Sequence, residues 1–80
     1  ALTVTRKDGT GMAFSAELRL AKETDAELLV YDTSGRLLSR TDMTGGTIKR
    51  ADFTVPQTGV YVVKALTLEE EFTRKIMANY

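Results

Sequence analysis

Met12, Phe14, Ala16, Leu18 and Leu20 alternate with Ala13, Ser15, Glu17 and Arg19. A period of two sends successive side chains to opposite faces of an extended chain, whereas a helix needs its apolar residues three and four apart. This segment therefore reads as a strand with one face in a core and one in water, and the rest of the chain has to supply partners for it. Leu2 and Val4 alternate in the same way with Thr3 and Thr5, and Lys7-Asp8-Gly9-Thr10-Gly11 between the two has the residues of a tight turn.

Five further extended segments follow. Ala26 to Tyr31 is apolar on both faces and reads as central, and Asp32-Thr33-Ser34-Gly35 turns it into a strand from Arg36 to Arg40. Gly45-Gly46 breaks the chain again. Thr47 to Val55 has Ile48 out of phase with Ala51, Phe53 and Val55, and a β-bulge near Lys49 and Arg50 is expected to restore the phase. Pro56-Gln57-Thr58-Gly59 forms a corner, Val60 to Leu66 is a second two-faced strand, and Phe72 to Met77 closes the chain after the acidic corner Glu69-Glu70-Glu71. Seven short strands with turn residues every 8 to 12 positions predict an all-β fold, a seven-stranded antiparallel immunoglobulin-like β-sandwich. No helix is expected, since Thr24-Asp25 interrupts the best helix formers, Ala21 to Leu29.

Composition narrows the chemistry. Eighty residues make one domain, 1–80, and a chain this short buries only about 60% of its unfolded surface. Eleven basic residues balance eleven acidic ones, unlike a nucleic-acid binder with a basic face. The absence of histidine removes the commonest general base and metal ligand, and the absence of cysteine removes disulfides and thiol chemistry. The longest apolar runs, Leu28 to Tyr31 and Val60 to Val63, fall far short of the ~20 residues that cross a bilayer. The chain begins at Ala1 with neither methionine nor signal segment, and reads as the C-terminal domain excised from a longer precursor.

Candidate chemical sites resolve into turns. Asp32-Thr33-Ser34-Gly35 after Leu28-Leu29-Val30-Tyr31 is reminiscent of an aspartic protease strand, but that chemistry needs two aspartates sharing a proton and this chain has one such segment. Hairpin geometry accounts for it, with Asp first and Gly where φ turns positive. Glu69-Glu70-Glu71 reads as a solvated corner rather than a metal site, and Asp8-Gly9-Thr10-Gly11 as a turn rather than a phosphate cradle. Tyr31 and Tyr61 pack on central strands with their hydroxyls at the rim. In the last strand Phe72, Arg74, Ile76 and Ala78 share one side. A cation among core positions marks an edge strand, with Arg74 snorkelling to water, and an edge can be either protected by charge or docked by a partner strand.

Three patches in order carry a resemblance: Val30 to Leu37, Ala51 to Lys64, and Thr73-Arg74-Lys75-Ile76-Met77. Together they resemble the type A C-terminal sorting domain of the type IX secretion system of Bacteroidetes, gingipain-like, whose pattern matches here at Asp32, Gly35, Arg36, Pro56, Gly59 and Tyr61. The chain departs from that pattern by an extra residue between Pro56 and Gly59 and by its Ala78-Asn79-Tyr80 ending. The resemblance implies a secretion signal and no enzyme, catalytic residue, cofactor or metal. It implies an upstream cargo that passes through the periplasm to the cell surface or medium. The implied partners are an outer-membrane translocon with its shuttle proteins and a sortase-like surface protease, with no nucleic acid and no small-molecule substrate. Arg74, Lys75, Ile76 and Met77 are the expected recognition residues, and exchange of the exposed last strand is a route to a dimer. The other reading of the same fold is a structural or adhesive immunoglobulin-like module of a surface protein.

Overall fold

In the computed structural model, which describes residues 1–7 and 11–79, seven strands are present and no helix. They are β1 (Leu2–Arg6), β2 (Ala13–Arg19), β3 (Ala26–Asp32), β4 (Leu37–Gly45), β5 (Ile48–Thr54), β6 (Gly59–Leu66) and β7 (Glu71–Ala78). The all-β, antiparallel expectation is met. The first turn, at Asp8-Gly9-Thr10, lies outside the described residues, as does Tyr80.

The strands pair in the order β1-β2-β5-β4-β3-β6-β7. β4 is the hinge of this ribbon. Ala26↔Met43 through Tyr31↔Leu37 join it to β3, whereas only Thr44↔Arg50 and Gly45↔Lys49 join it to β5. The ribbon folds over there, so β1-β2-β5 faces β3-β6-β7 and one core fills the space between. Its largest fully buried members are Leu2, Leu18, Leu28, Val30 and Val63. Phe14 and Phe53, opposite each other in the β2–β5 register, stack at 5.4 Å. Folding over also brings β1 back against β7, the two ends of the order.

Two expectations are corrected. No bulge interrupts β5: the register runs unbroken from Ala13↔Thr54 to Arg19↔Ile48, and Lys49, not Ile48, takes the inward position. Lys49 is only 5% exposed while Ile48 is 45% exposed. A lysine fits there because its aliphatic stem packs inward and Nζ donates to the Gly45 carbonyl at 2.9 Å. The irregularity lies instead in the β3–β4 pairing, between Val30 and Tyr31. Likewise β4 starts at Leu37, after Arg36, and runs on to Gly45, well past Arg40.

Gly45 is required by its position. Its φ is +122°, and a Cβ there would collide with the Ile48 carbonyl oxygen and press on the Lys49 Cα at 3.3 Å. Gly45→Ala is expected to cost about 2 kcal/mol, read as a drop in melting temperature of about 8–16 °C for a domain of this size. An unchanged melting temperature would mean that the hairpin can open without loss.

Candidate recognition surface

The pattern residues converge on one end of the β3-β6-β7 sheet. The registers Asp32↔Tyr61 and Tyr61↔Ile76 set Asp32, Tyr61 and Ile76 in one row across three strands, and the next row is Tyr31, Val62 and Lys75. The Asp32 turn and the Pro56–Gly59 corner thus lie beside the end of β7.

Asp32 is spent on its own turn. Its Oδ1 accepts from the Ser34 amide (3.0 Å), the Ser34 hydroxyl (2.6 Å) and the Arg36 amide (3.0 Å), and Oδ2 accepts from Arg36 Nε (3.1 Å). The Asp32 amide donates to the Arg36 carbonyl at 3.0 Å, and Gly35 supplies the positive φ of +89°. The Ser34 hydroxyl first, then the Arg36 amide, hold the Asp32 carboxyl below its ordinary 3.8. The geometry is that of a turn lock, with both carboxylate oxygens committed to Ser34 and Arg36. At the neighbouring corner Tyr61, only 4% exposed, donates its hydroxyl to the Gln57 carbonyl at 2.7 Å, four residues upstream. This matches the tyrosine corner of immunoglobulin-like sandwiches. Asp32, Gly35, Arg36, Gly59 and Tyr61 therefore shape the end of the sheet.

The recognition candidates divide by parity. Arg74 and Ile76 share the inner face with Phe72 and Ala78, whereas Lys75 and Met77 share the outer face with Thr73. Met77 is 57% exposed. Lys75 borders a depression of about 500 Å³ with Tyr31, Val62, Lys64 and the Asp32 turn, and the Lys64 ammonium lies 5.6 Å from the Tyr31 ring centre.

β7 is an edge strand whose outward backbone groups follow from the hydrogen bonds. Asp32 bonds back towards β4, so Tyr31 points its backbone groups to β6, Val62 points to β3, and Tyr61 and Val63 point to β7. Their partners Ile76 and Arg74 are therefore bonded to β6, leaving the N–H and C=O of Thr73, Lys75 and Met77 facing away. Two side-chain bonds agree: Arg6 donates to the Met77 carbonyl at 2.9 Å, and Arg74 to the Thr73 carbonyl at 3.3 Å.

Facing this edge is β1. Lys7 and Arg19 amides bond to Ala13 and Ala1 carbonyls, which turns the backbone groups of Leu2, Val4 and Arg6 away from β2 and towards β7. The gap is bridged by guanidinium groups: Arg74 Nε donates to the Leu2 carbonyl at 2.9 Å, and Arg6 also reaches Asn79 Oδ1 at 2.9 Å. Arg74 does not simply snorkel to water, as expected, but ties the two ends of the ribbon together. Arg6 and Asn79 were missed as seam residues. The signal for Arg6 was present, since it follows Leu2 and Val4 in phase as a cation on a core-facing parity.

Acid sensitivity follows from the carboxylates. Glu17, mainly through Arg19, and Asp52, mainly through Lys7, are also held below their ordinary values of 4.5 and 3.8. Carboxyls with lowered folded values stabilise the fold above their unfolded values, and this contribution is lost as pH falls through the folded ones. Melting temperature should be flat above about pH 5 and fall below about pH 4, with a shallower acid slope in Asp32→Asn. An identical slope in that variant would remove Asp32 from the account. Asp52 is exposed and Glu17 and Asp32 are half-buried, so added salt should reduce the effect, most of all at Asp52.

The family model described as "Secretion system C-terminal sorting domain" matches residues 13–79. No curated protein and no solved structure gives a significant match.

Proposed function

Because this chain belongs to the family of secretion-system C-terminal sorting domains, we propose that the type IX machinery reads its last strand, β7, to carry an upstream cargo across the outer membrane. The observation that carries this reading is the outer edge of β7, which faces β1 through guanidinium bridges but pairs with no strand, and where the outward N–H and C=O of Lys75 are bordered by exposed Lys75 and Met77 side chains. An edge of this kind is a template for a partner strand, with backbone bonds giving affinity and flanking side chains giving selectivity. Of the four candidates, Lys75 and Met77 meet the partner directly. Ile76 anchors the strand to the core, and Arg74 lies at the seam, where it holds the Leu2 carbonyl.

The domain is a sorting signal of a family that is not enzymatic. Its cargo is a larger protein that crosses the periplasm and reaches the cell surface or the medium in a bacterium of the Bacteroidetes. There a sortase-like protease removes the domain from those cargoes that become surface-attached. Exchange of β7 between two copies is a route to a dimer that would keep the β6 pairing of each β7 and leave its outward edge as it is in the monomer.

The test is a fluorescent protein carrying an inner-membrane export signal and, at its C-terminus, this 80-residue chain, expressed in a bacterium with the type IX machinery. Export of the fusion, lost when residues 75 to 80 are deleted, is the expected result. Periplasmic retention of the intact fusion overturns the reading. Binding of the isolated domain to a glycan array, with no export, would instead favour the adhesive alternative.

A further inference from the structure

The chain is neutral as a whole, with eleven cations and eleven carboxylates, yet its ion pairs are not spread evenly. Arg19, Arg36, Arg40 and Arg50 each hold a carboxylate within 3.6 Å, and Lys7, Lys22 and Lys64 each hold one within 3.9 Å. Among the described residues the cations without a carboxylate are Arg6, Lys49, Arg74 and Lys75. Lys49 is buried on the Gly45 carbonyl. The other three all lie on the seam between β1 and β7.

Along this seam the strands run parallel, since Leu2 meets Arg74 while Arg6 meets Met77 and Asn79. The outward backbone groups of both strands face one another across it, bridged by guanidinium groups. Inward-pointing charge on edge strands is a known guard against aggregation, and that accounts for Arg6 and Arg74. It does not account for Lys75, which lies on the outer face and has no ion pair among the described residues, nor for the lack of a carboxylate paired with this cluster among those residues. β1 also lies outside residues 13–79, so the strand that closes the seam is not part of what the family model matches.

We propose that the β1–β7 seam is a slot for an extended, carboxylate-bearing segment of a partner protein. The segment pairs with the outward backbone groups of Thr73, Lys75 and Met77. Its carboxylates replace the backbone carbonyls now held by Arg6 and Arg74. Arg74 and Lys75 are adjacent in sequence and on opposite faces, so a strand opposite them must offer carboxylates on consecutive residues rather than on alternate ones. This identifies the chemistry of the partner on the edge assigned above, and it rests on that assignment.

The test is chemical-shift mapping on the isotope-labelled 80-residue chain with three capped hexapeptides of threonine and valine. One carries two consecutive glutamates, one carries two glutamates separated by a single residue, and one carries two glutamines. The consecutive-glutamate peptide is expected to shift the amides of residues 73 to 77 and to bind about fivefold to tenfold more tightly than the glutamine peptide, with the advantage falling in high salt. Lys75→Glu, on an exposed outer position, should remove most of that advantage without altering the fold. Arg6→Gln and Arg74→Gln should each weaken binding about two- to fivefold. Equal binding of glutamate and glutamine peptides, shifts that map away from β7, or an unaffected Lys75→Glu variant would overturn the proposal. If the fluorescent fusion is exported through β7 but peptide discrimination fails, the slot chemistry falls and the sorting reading stands. If the peptide discriminates but the fusion is retained, the reverse holds.

Discussion

A proline at position 75 is expected to leave the sandwich folded and to stop export of a fused cargo. The Lys75 N–H faces away from β6, so its loss removes no ladder bond, and the fixed φ of proline is tolerated on an edge strand at such a position. Stability should fall by about 1 kcal/mol or less. A partner strand pairing on that edge would lose a backbone donor and meet the proline ring instead. The unsatisfied carbonyl left behind costs about 1–3 kcal/mol, which is roughly a ten- to hundredfold loss of affinity. Ile76→Pro is the contrasting variant. Its N–H bonds to β6, and removing it should cost about 3 kcal/mol and open the hairpin. Lys75→Gln separates charge from backbone, since it keeps the donor. Export in Lys75→Pro at the level of Lys75→Gln, with both folded, would mean that no partner pairs along this strand.

The second large effect is on stability. Leu28 is 1% exposed on β3, which is paired on both sides by β4 and β6. Leu28→Ala should cost about 3–5 kcal/mol through lost burial and the cavity left behind. A domain of this size has a total stability of only about 4–12 kcal/mol, so the variant should melt at a urea concentration roughly 2–3 M lower or fail to fold. The same substitution at Leu68, 95% exposed between β6 and β7, should move the midpoint by no more than about 0.5 kcal/mol in free energy. Equal effects at the two leucines would mean that the core is not where the strand registers put it.

Much of the fold was legible because it is written in local alternation. β2 shows period two over its whole length, β6 buries Tyr61, Val63 and Ala65 on one parity, and the Asp32 turn names its own hydrogen-bond partners within four residues. What escaped reading has a physical reason in each case. Lys49 looks polar and broke the alternation on paper, but its long stem lets it occupy a core position while the ammonium finds the Gly45 carbonyl. The second half of β4 carries Thr41, Asp42 and Thr44 around the single buried Met43, because a strand at the fold of the ribbon has little core to face. The seam is invisible to any local pattern, since it depends on contacts between residues 71 to 73 positions apart. Arg74 was recognisable as a cation at a core-facing position, but its partner, the Leu2 carbonyl, could only be seen once the ribbon had closed on itself.

The most direct test places a photo-cross-linking residue at position 77 or at position 48 of the fused domain in exporting cells. Met77 and Ile48 are both exposed, on the outer faces of opposite halves of the sandwich. If β7 is the strand the machinery reads, position 77 should yield an adduct with an outer-membrane component of that machinery and position 48 should not. Adducts formed from position 48 while position 77 gives none would contradict the account.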